Sequence, residues 1–170
     1  MRATNKVVLV GPMGAGKSTL GTALSEATGW PYFDNDGEMT RRYGLSQEEL
    51  ASLPVPELHA LESRYLFDVT SQAGPLISGA AASVVDYEEN REILKGVSTI
   101  YLCIPLSSVI SRAGTHGVGR QALTENAEQV LTERYLRRDP LYREVSIATL
   151  ELGDNPAEDA ARLIALVSSL

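Results

Sequence analysis

The stretch that decides the fold is Gly11-Pro12-Met13-Gly14-Ala15-Gly16-Lys17-Ser18-Thr19, which matches the pattern G-x-x-x-x-G-K-[ST] at every position. An apolar run at residues 7–10 precedes it and predicts a buried parallel strand. The residues after the loop place an apolar stripe on a helix, at Leu20, Ala23, Leu24 and Ala27. Strand, loop and helix in this order predict a phosphate-binding loop, with a chance glycine-rich turn as the alternative.

A phosphate-binding loop of this kind predicts a nucleoside triphosphate and Mg²⁺ as ligands. Its glycines let backbone N–H groups turn inward, and the helix N-terminus adds partial positive charge. We expect Lys17 to reach the β- and γ-phosphates and the Ser18 hydroxyl to ligate Mg²⁺. The loop residues expected to bind the nucleotide are Gly11, Gly14, Ala15, Gly16, Lys17, Ser18 and Thr19.

Composition excludes several other classes of protein. The 170 residues are 44% hydrophobic and 22% charged, which predicts one globular domain spanning residues 1–170. No apolar run approaches the roughly 20 residues of a transmembrane helix, and the N-terminus leads straight into a strand, so we expect no membrane and no secretory segment. The single cysteine, Cys103, cannot form an internal disulfide, which favours the cytoplasm. A net charge of −7 argues against nucleic acid as a partner.

Short apolar strands alternate with longer helical segments along the chain. This pattern predicts an α/β P-loop domain, with five parallel strands and helices on both faces of the sheet. Helices are expected at residues 37–43, 57–70 and 124–139, and the later strands at 75–78, 97–104 and 145–150. The loop from Ala113 to Arg120 has three glycines in six residues, so we expect a mobile lid at about residues 113–123.

Two carboxylates, Asp34 and Asp36, follow the second strand. Ligands of an α/β sheet gather at the carboxyl ends of its strands, so this pair is expected beside the phosphate loop. In an extended segment their alternating spacing points them in different directions, one towards hydrated Mg²⁺ and the other towards an acceptor. A polar turn between strand and helix is the alternative.

The chain resembles the shikimate kinases over nearly its whole length. The segments that carry the resemblance are the phosphate loop, Asp34-Asn35-Asp36, residues 90–94, Arg112, Arg120 and Arg138-Asp139-Pro140-Leu141-Tyr142. The resemblance implies an enzyme that transfers the γ-phosphoryl group of ATP, with Mg²⁺, to a hydroxyl of a small polar metabolite in aromatic amino acid biosynthesis.

Individual roles follow from the same resemblance. Lys17, Asp36 and Arg120 would be catalytic, with Arg120 closing the lid over both substrates. Asp34 would hold Mg²⁺ through water, beside the Ser18 hydroxyl as a direct ligand. Asp36 would contact the acceptor hydroxyl. Arg112 would pack on adenine, the Asn155-Pro156 turn would form the adenine-binding loop, and Arg138 would bind the acceptor's carboxylate.

Several acceptor-side positions depart from the family pattern. An arginine in the long helix is replaced by His59, and three glycines after the third strand by Ala80, Ala81 and Ala82. Neutral histidine cannot grip a carboxylate bidentately, so shikimate is expected to be a weak acceptor. A protonated His59 would recover part of the affinity as pH falls towards about 6.5. Arg64, one turn along the same helix, would be the alternative carboxylate ligand.

Two function classes therefore stay open. The first is a monomeric kinase for a small anionic acceptor, shikimate or a shikimate-like cyclitol or hydroxy acid. The second is a nucleotide-binding regulator or pseudo-kinase without turnover. Gluconate and nucleotide kinases share the phosphate loop and are neighbouring possibilities. Retention of Lys17, Ser18, Asp34, Asp36 and Arg120 favours the enzyme, because these residues serve transfer and not binding alone.

Overall fold

A computed structural model describes residues 5–112 and 126–170 of the chain. Its strands are Lys6–Val10 (β1), Tyr32–Phe33 (β2), Leu76–Gly79 (β3), Ser98–Cys103 (β4) and Ala148–Glu151 (β5). Its α-helices are Lys17–Thr28 (α1), Asn35–Tyr43 (α2), Gln47–Ser52 (α3), Val55–Thr70 (α4), Glu88–Lys95 (α5), Leu106–Arg112 (α6), Ala127–Val145 (α7) and Pro156–Ser168 (α8). A 3₁₀ turn spans Val84–Asp86.

The five strands form one parallel sheet in the order β2-β3-β1-β4-β5. β1 is central, with Val8 opposite Ser78 of β3 and Thr99 of β4. The phosphate loop, Asp34 and Ala80 follow β1, β2 and β3, so they lie at one edge of the sheet. The predicted α/β architecture is confirmed.

The core lies on both faces of the sheet because successive residues of a strand point in opposite directions. On one face Val7 and Leu9 pack with Leu24 of α1 and Leu163 of α8. On the other face Val8 and Val10 pack with residues of α4, α5 and α7, among them Leu66, Leu94 and Val145. Helices thus cover both faces, as the apolar strands predict.

The buried stripe of α1 differs in one position from the predicted one. Ala27 is exposed, whereas Gly21 is buried against the ring of Tyr32. A Cβ at Gly21 would lie 2.2 Å from Tyr32 Cε2, so only glycine admits this ring. The contact fixes Tyr32, whose hydroxyl reaches the site described below.

The predicted end of α7 at Asp139 is wrong, because the helix continues through Pro140 to Val145. A proline inside a helix costs about 3 kcal/mol through a lost hydrogen bond and a steric clash. Burial of Tyr142 and Val145 offsets this cost, and Tyr142 also stacks on Tyr101 with ring centroids 4.9 Å apart. The continuation ties α7 to the sheet beside the candidate site.

Other element boundaries move by a few residues. α2 begins at Asn35, where a start at 37 was predicted, and α4 begins at Val55 with Pro56 in its first turn, where proline needs no hydrogen-bond donor. The β5 strand begins at Ala148, after α7 has taken up Val145. The predicted lid at residues 113–123 lies outside the described residues. In residues 5–112 and 126–170, no helix is both long and apolar enough to cross a membrane.

Candidate active site

The phosphate loop adopts the left-handed backbone that its glycines allow. Gly11, Gly14 and Gly16 have φ angles of 152°, 79° and 89°. A Cβ at Gly11 would lie 2.6 Å from the Leu102 carbonyl oxygen, so this position excludes any side chain. Gly16 is the N-cap of α1 and makes no side-chain capping bond, which leaves the first N–H groups of the helix available to an anion. The loop therefore fits a polyphosphate.

Lys17 lies at the floor of this loop. Its Nζ donates to the carbonyl oxygens of Gly11 and Pro12, at 2.8 and 2.9 Å. Burial lowers the pKa of Lys17 to about 8, against the opposing effect of the Asp36 and Asp34 carboxylates. The structure thus holds the lysine beside the place that the loop offers to phosphate.

Ser18 and Asp34, the two residues expected at Mg²⁺, lie in contact. Ser18 Oγ donates to Asp34 Oδ1 at 2.6 Å, and the Tyr32 hydroxyl donates to the same oxygen at 3.2 Å. Asp34 also caps α2 by accepting from the Gly37 N–H at 3.4 Å. A hydroxyl and a carboxylate are oxygen ligands suited to Mg²⁺, which usually keeps several waters and few protein ligands.

Asp36 lies in the first turn of α2, so the extended segment predicted for the aspartate pair is wrong. The two carboxylates still diverge, because Asp34 precedes the helix as its cap while Asp36 is inside it. Asn35 Nδ2 donates to Asp36 Oδ1 at 3.0 Å, which fixes the carboxylate at the cavity wall.

One cavity of about 520 Å³ joins the phosphate loop to the residues predicted for the acceptor. Its lining contains the predicted residues Gly14, Gly16, Lys17, Ser18, Thr19, Asp34, Asp36, His59, Ala80, Ala81, Ala82 and Arg138. Gly11 and Ala15 are buried beneath the loop and complete its backbone. The sequence therefore brings both sets of residues to one place.

The predicted adenine contacts lie further out. Arg112 Nη1 donates to the Gly14 carbonyl oxygen at 2.8 Å, beside the phosphate loop. Asn155 caps α8 by accepting from the Ala157 N–H at 3.1 Å, and Asn155 and Pro156 are both exposed and do not line the cavity. Their adenine contact stays a prediction. Arg120 lies outside the described residues.

His59 faces the cavity as a neutral side chain. Its Nδ1 is 2.9 Å from the Tyr87 hydroxyl, and the two rings meet edge to face. Burial lowers the pKa of His59 below 6.5, and the nearby Arg138 charge acts in the same direction. The lowered pKa opposes the gain of positive charge expected near pH 6.5. Arg64 pairs with Asp68 over the Tyr43 ring and does not line the cavity, so the alternative carboxylate ligand is wrong.

Gly79, the last residue of β3, lies directly before the three alanines and packs against Tyr32. A Cβ at Gly79 would lie 2.8 Å from the Tyr32 hydroxyl oxygen. Ala80 is buried, and the Ala82 carbonyl accepts from the Tyr142 hydroxyl at 2.7 Å. The alanine backbone is thus fixed to α7, and its methyl groups replace hydrogens at the cavity edge.

Arg138 lines the cavity but is paired with Asp86. Its Nε lies 3.0 Å from Asp86 Oδ1 and its Nη2 2.6 Å from Oδ2, while Arg137 Nη2 lies 3.2 Å from Oδ2. Arg134 also lines the cavity, one turn before Arg138 on α7, and has no hydrogen-bond or ion-pair partner within the described residues. Three arginines and one aspartate therefore occupy this end.

Sequence reasoning singled out Arg138 alone among these four residues. A signal for Arg134 and Arg137 was present, because positions three and four residues apart share one face of a helix. Asp86 carries no local signal, since it meets α7 only through the fold.

Glu62 is a further cavity residue that sequence reasoning left without a role. Its side chain is 7% exposed and accepts a hydrogen bond from Ser83 Oγ. Burial raises the pKa of Glu62 to about 7, partly opposed by the Ser83 hydrogen bond and the Arg138 charge. The carboxyl group therefore keeps its proton to a higher pH than an exposed glutamate does.

Comparison of the chain with known proteins shows the family to which it belongs. The family model described as shikimate kinase matches residues 13–168. The shikimate kinase of Rhodococcus jostii RHA1 is 35% identical over 162 residues, which cover 94% of this chain and 96% of that protein. The chain belongs to the shikimate kinase family. The predicted resemblance is confirmed, and the family match decides against the gluconate and nucleotide kinase branches.

Two further shikimate kinases support the same assignment. That of Methylococcus capsulatus is 31% identical over 167 residues, covering 96% of this chain and 92% of that protein. The solved structure of shikimate kinase from Acinetobacter baumannii in complex with shikimate superposes with a TM-score of 0.84 at 31% identity, covering 96% and 93% of the two chains. Shikimate kinases are phosphotransferases that use ATP and an alcohol acceptor, and this chain is one of that class.

We predict different kinetic defects for the two aspartates of the site. Asp36→Asn should lower kcat by about 100-fold or more with little change in the KM for ATP, as expected when a group that orients or deprotonates a hydroxyl is lost. Asp34→Asn should raise the Mg²⁺ concentration needed for half-maximal rate. Both substitutions remove one negative charge and leave the size of the side chain almost unchanged. Each variant therefore serves as the control for the other in steady-state assays across a Mg²⁺ series. If both weaken only Mg·ATP binding, the division between them is wrong.

Glu62 makes stability fall as pH rises through the acidic range. The native carboxyl, with a pKa of about 7, keeps its proton where the unfolded one, near 4.5, has lost it. We expect Glu62→Gln to remove this decline between about pH 4.5 and 7 and to stabilise the protein by about 1–3 kcal/mol at pH 8, at about 1.4 kcal/mol per pKa unit. Urea unfolding at several pH values measures it, with the exposed Glu26→Gln as control. Parallel curves for wild type and Glu62→Gln would contradict the assignment.

Proposed function

We propose that this protein transfers the γ-phosphoryl group of ATP to a hydroxyl of a small anionic metabolite, shikimate or a shikimate-like cyclitol or hydroxy acid. The observation that carries the proposal is the single cavity of about 520 Å³ shared by Lys17, Asp36 and Arg138. A phosphate site, a carboxylate for the hydroxyl and a cationic end for an anion are the parts that such a transfer needs.

The phosphate end of the cavity supplies charge and position. The loop backbone and the N-terminus of α1 bind the phosphates, and Lys17 offsets the negative charge of the transferred group. Ser18 and Asp34 would hold Mg²⁺, which when bound neutralises further phosphate charge. Arg112, Asn155 and Pro156 are proposed for the adenine end, and Arg120 for closure of a lid over both substrates.

The acceptor end orients the hydroxyl. Asp36 accepts its hydrogen bond and, during transfer, its proton. Arg138, His59 and the backbone of Ala80, Ala81 and Ala82 surround the rest of the acceptor. An anionic group on the acceptor is favoured because three arginines outnumber the carboxyl groups of Asp86 and Glu62 there.

The placement of the transfer groups supports an enzyme over a nucleotide-binding regulator. A regulator needs the phosphate loop but not Asp36 at the cavity wall beside it. No observation favours the pseudo-kinase alternative. We propose a cytoplasmic monomer whose partner is its small-molecule substrate, without nucleic acid or membrane.

An acceptor screen tests the proposal. ADP release from ATP, measured by a coupled assay, should rise when shikimate or a related cyclitol or hydroxy acid is added. Lys17→Ala should reduce this rate by at least about 100-fold, as loss of a group that stabilises transition-state charge does, while the thermal unfolding midpoint changes by only a few degrees. ATP turnover that no acceptor stimulates would contradict the proposal, and so would near-wild-type turnover by a folded Lys17→Ala variant.

We further predict that His59→Arg improves the use of shikimate. A guanidinium adds the charge-assisted hydrogen bonds that a neutral imidazole lacks, so KM for shikimate should fall by about tenfold, equivalent to about 1.4 kcal/mol. Adding Ala80→Gly, Ala81→Gly and Ala82→Gly should lower the KM for shikimate further, because these substitutions remove three methyl groups from the cavity edge.

The matched control is His59→Gln, which keeps a neutral polar side chain. Because the pKa of His59 lies below 6.5, wild type and His59→Gln should share one pH profile for shikimate KM between pH 6.5 and 8. An unchanged KM in His59→Arg, or a low-micromolar KM in the wild type, would refute the role assigned to this position.

A further inference from the structure

The acceptor end of the cavity already contains a bound carboxylate, that of Asp86. It occupies the Nε and Nη2 donors of Arg138, at 3.0 and 2.6 Å, and accepts a further hydrogen bond from Arg137 at 3.2 Å. The side chains of Arg138 and Asp86 are only 12% and 19% exposed. This is the paired geometry in which an arginine binds any carboxylate.

Both partners are held in place by their own elements. Asp86 ends the 3₁₀ turn, whose residues Val84 and Val85 are fully buried, and its N–H donates to the Ser83 carbonyl at 2.9 Å. Arg138 is fixed because α7 is bound to the Ala82 carbonyl through Tyr142. The contact is therefore a built part of the wall and not a chance meeting of surface side chains.

The charge of Asp86 is stabilised where it lies. Burial opposes ionisation, but the hydrogen bond from Arg138 and the charges of Arg138 and Arg137 outweigh it and hold the pKa of Asp86 below its ordinary value. Asp86 is consequently an anion at neutral pH. A carboxylate entering the cavity meets an arginine whose Nε and Nη2 donors are already used.

We propose that Asp86 is a specificity-determining residue that competes with the acceptor's carboxylate for Arg138. The competition weakens acceptors that rely on a carboxylate and leaves those that bind through hydroxyls unaffected. Arg134, which makes no hydrogen bond or ion pair within the described part of the chain, keeps the cavity attractive to an anion even while Arg138 is engaged. The inference rests on the proposed function only in treating this end of the cavity as the acceptor end.

Binding measurements test the competition without requiring turnover. Shikimate and its methyl ester are titrated calorimetrically into wild type and Asp86→Asn in the presence of Mg²⁺ and ADP. Freeing the paired donors of Arg138 should tighten shikimate binding by about 10- to 100-fold, the scale of a charge-assisted hydrogen-bond pair. The methyl ester and ADP should bind as they do to wild type.

Matched variants separate competition from charge or folding effects. Asp86→Glu keeps the charge and the means to pair with Arg138, so its shikimate affinity should stay near that of wild type. Asp68→Asn removes an equivalent charge that pairs with Arg64 outside the cavity, and should change nothing. Asp86→Ser serves as a second opening variant if Asp86→Asn does not fold.

Two results would overturn the inference. In the first, folded Asp86→Asn or Asp86→Ser binds shikimate no more tightly than wild type, or not detectably. In the second, the substitution tightens binding of shikimate, its methyl ester and ADP equally. A purely structural ion pair predicts loss of stability without gain of affinity. Failure of the proposed function has another signature, the absence of acceptor-stimulated ADP release, which leaves the comparison of binding constants intact.

Discussion

The left-handed backbone of the phosphate loop is the constraint on which the site depends. At Gly11 the chain leaves the central strand with φ of 152° and passes so close to β4 that a Cβ would lie 2.6 Å from the Leu102 carbonyl oxygen. This close passage brings the N-terminus of α1 to the carboxyl end of β1. Because β1 is central, the segments that follow β2 and β3 end beside it, and they supply Asp34 and Ala80.

The nucleotide half was predictable because its information is local. Loop, strand and helix are contiguous, and Asp34 follows the next strand along the chain. The acceptor half depends on contacts between distant residues. Asp86 and Arg138 are separated by 52 positions, and His59 and Tyr87 by 28, and neither contact has a periodicity or spacing that reveals it. The helix through Pro140 was missed for the same reason, since the burial that sustains it is tertiary.

The departures at the acceptor half act through different physical effects. His59 stands where the resemblance implies an arginine, and because its pKa is lowered the imidazole does not supply that positive charge at neutral pH. The alanines place methyl groups at the cavity edge, and the hydrogen bond from the Tyr142 hydroxyl to the Ala82 carbonyl fixes their backbone to α7. Asp86 neutralises part of an arginine cluster that the sequence alone makes look fully cationic. Under the proposed function, all three bear on the acceptor's carboxylate and not on the hydroxyl contact proposed for Asp36.

The phosphate end and the proposed acceptor end differ in the kind of group that binds the ligand. Phosphates are held mainly by backbone N–H groups, which substitutions of side chains do not remove. The proposed acceptor end is lined by side chains from α2, α4 and α7 and from the 3₁₀ turn, each of which can change singly. Glu62 lies among these side chains, and its pKa responds to them. Burial raises the pKa to about 7, the Asp36 and Asp86 carboxylates act in the same direction, and Arg138 opposes them. Substitution of a single side chain at the proposed acceptor end can therefore change its charge and selectivity without changing the backbone groups that bind phosphate.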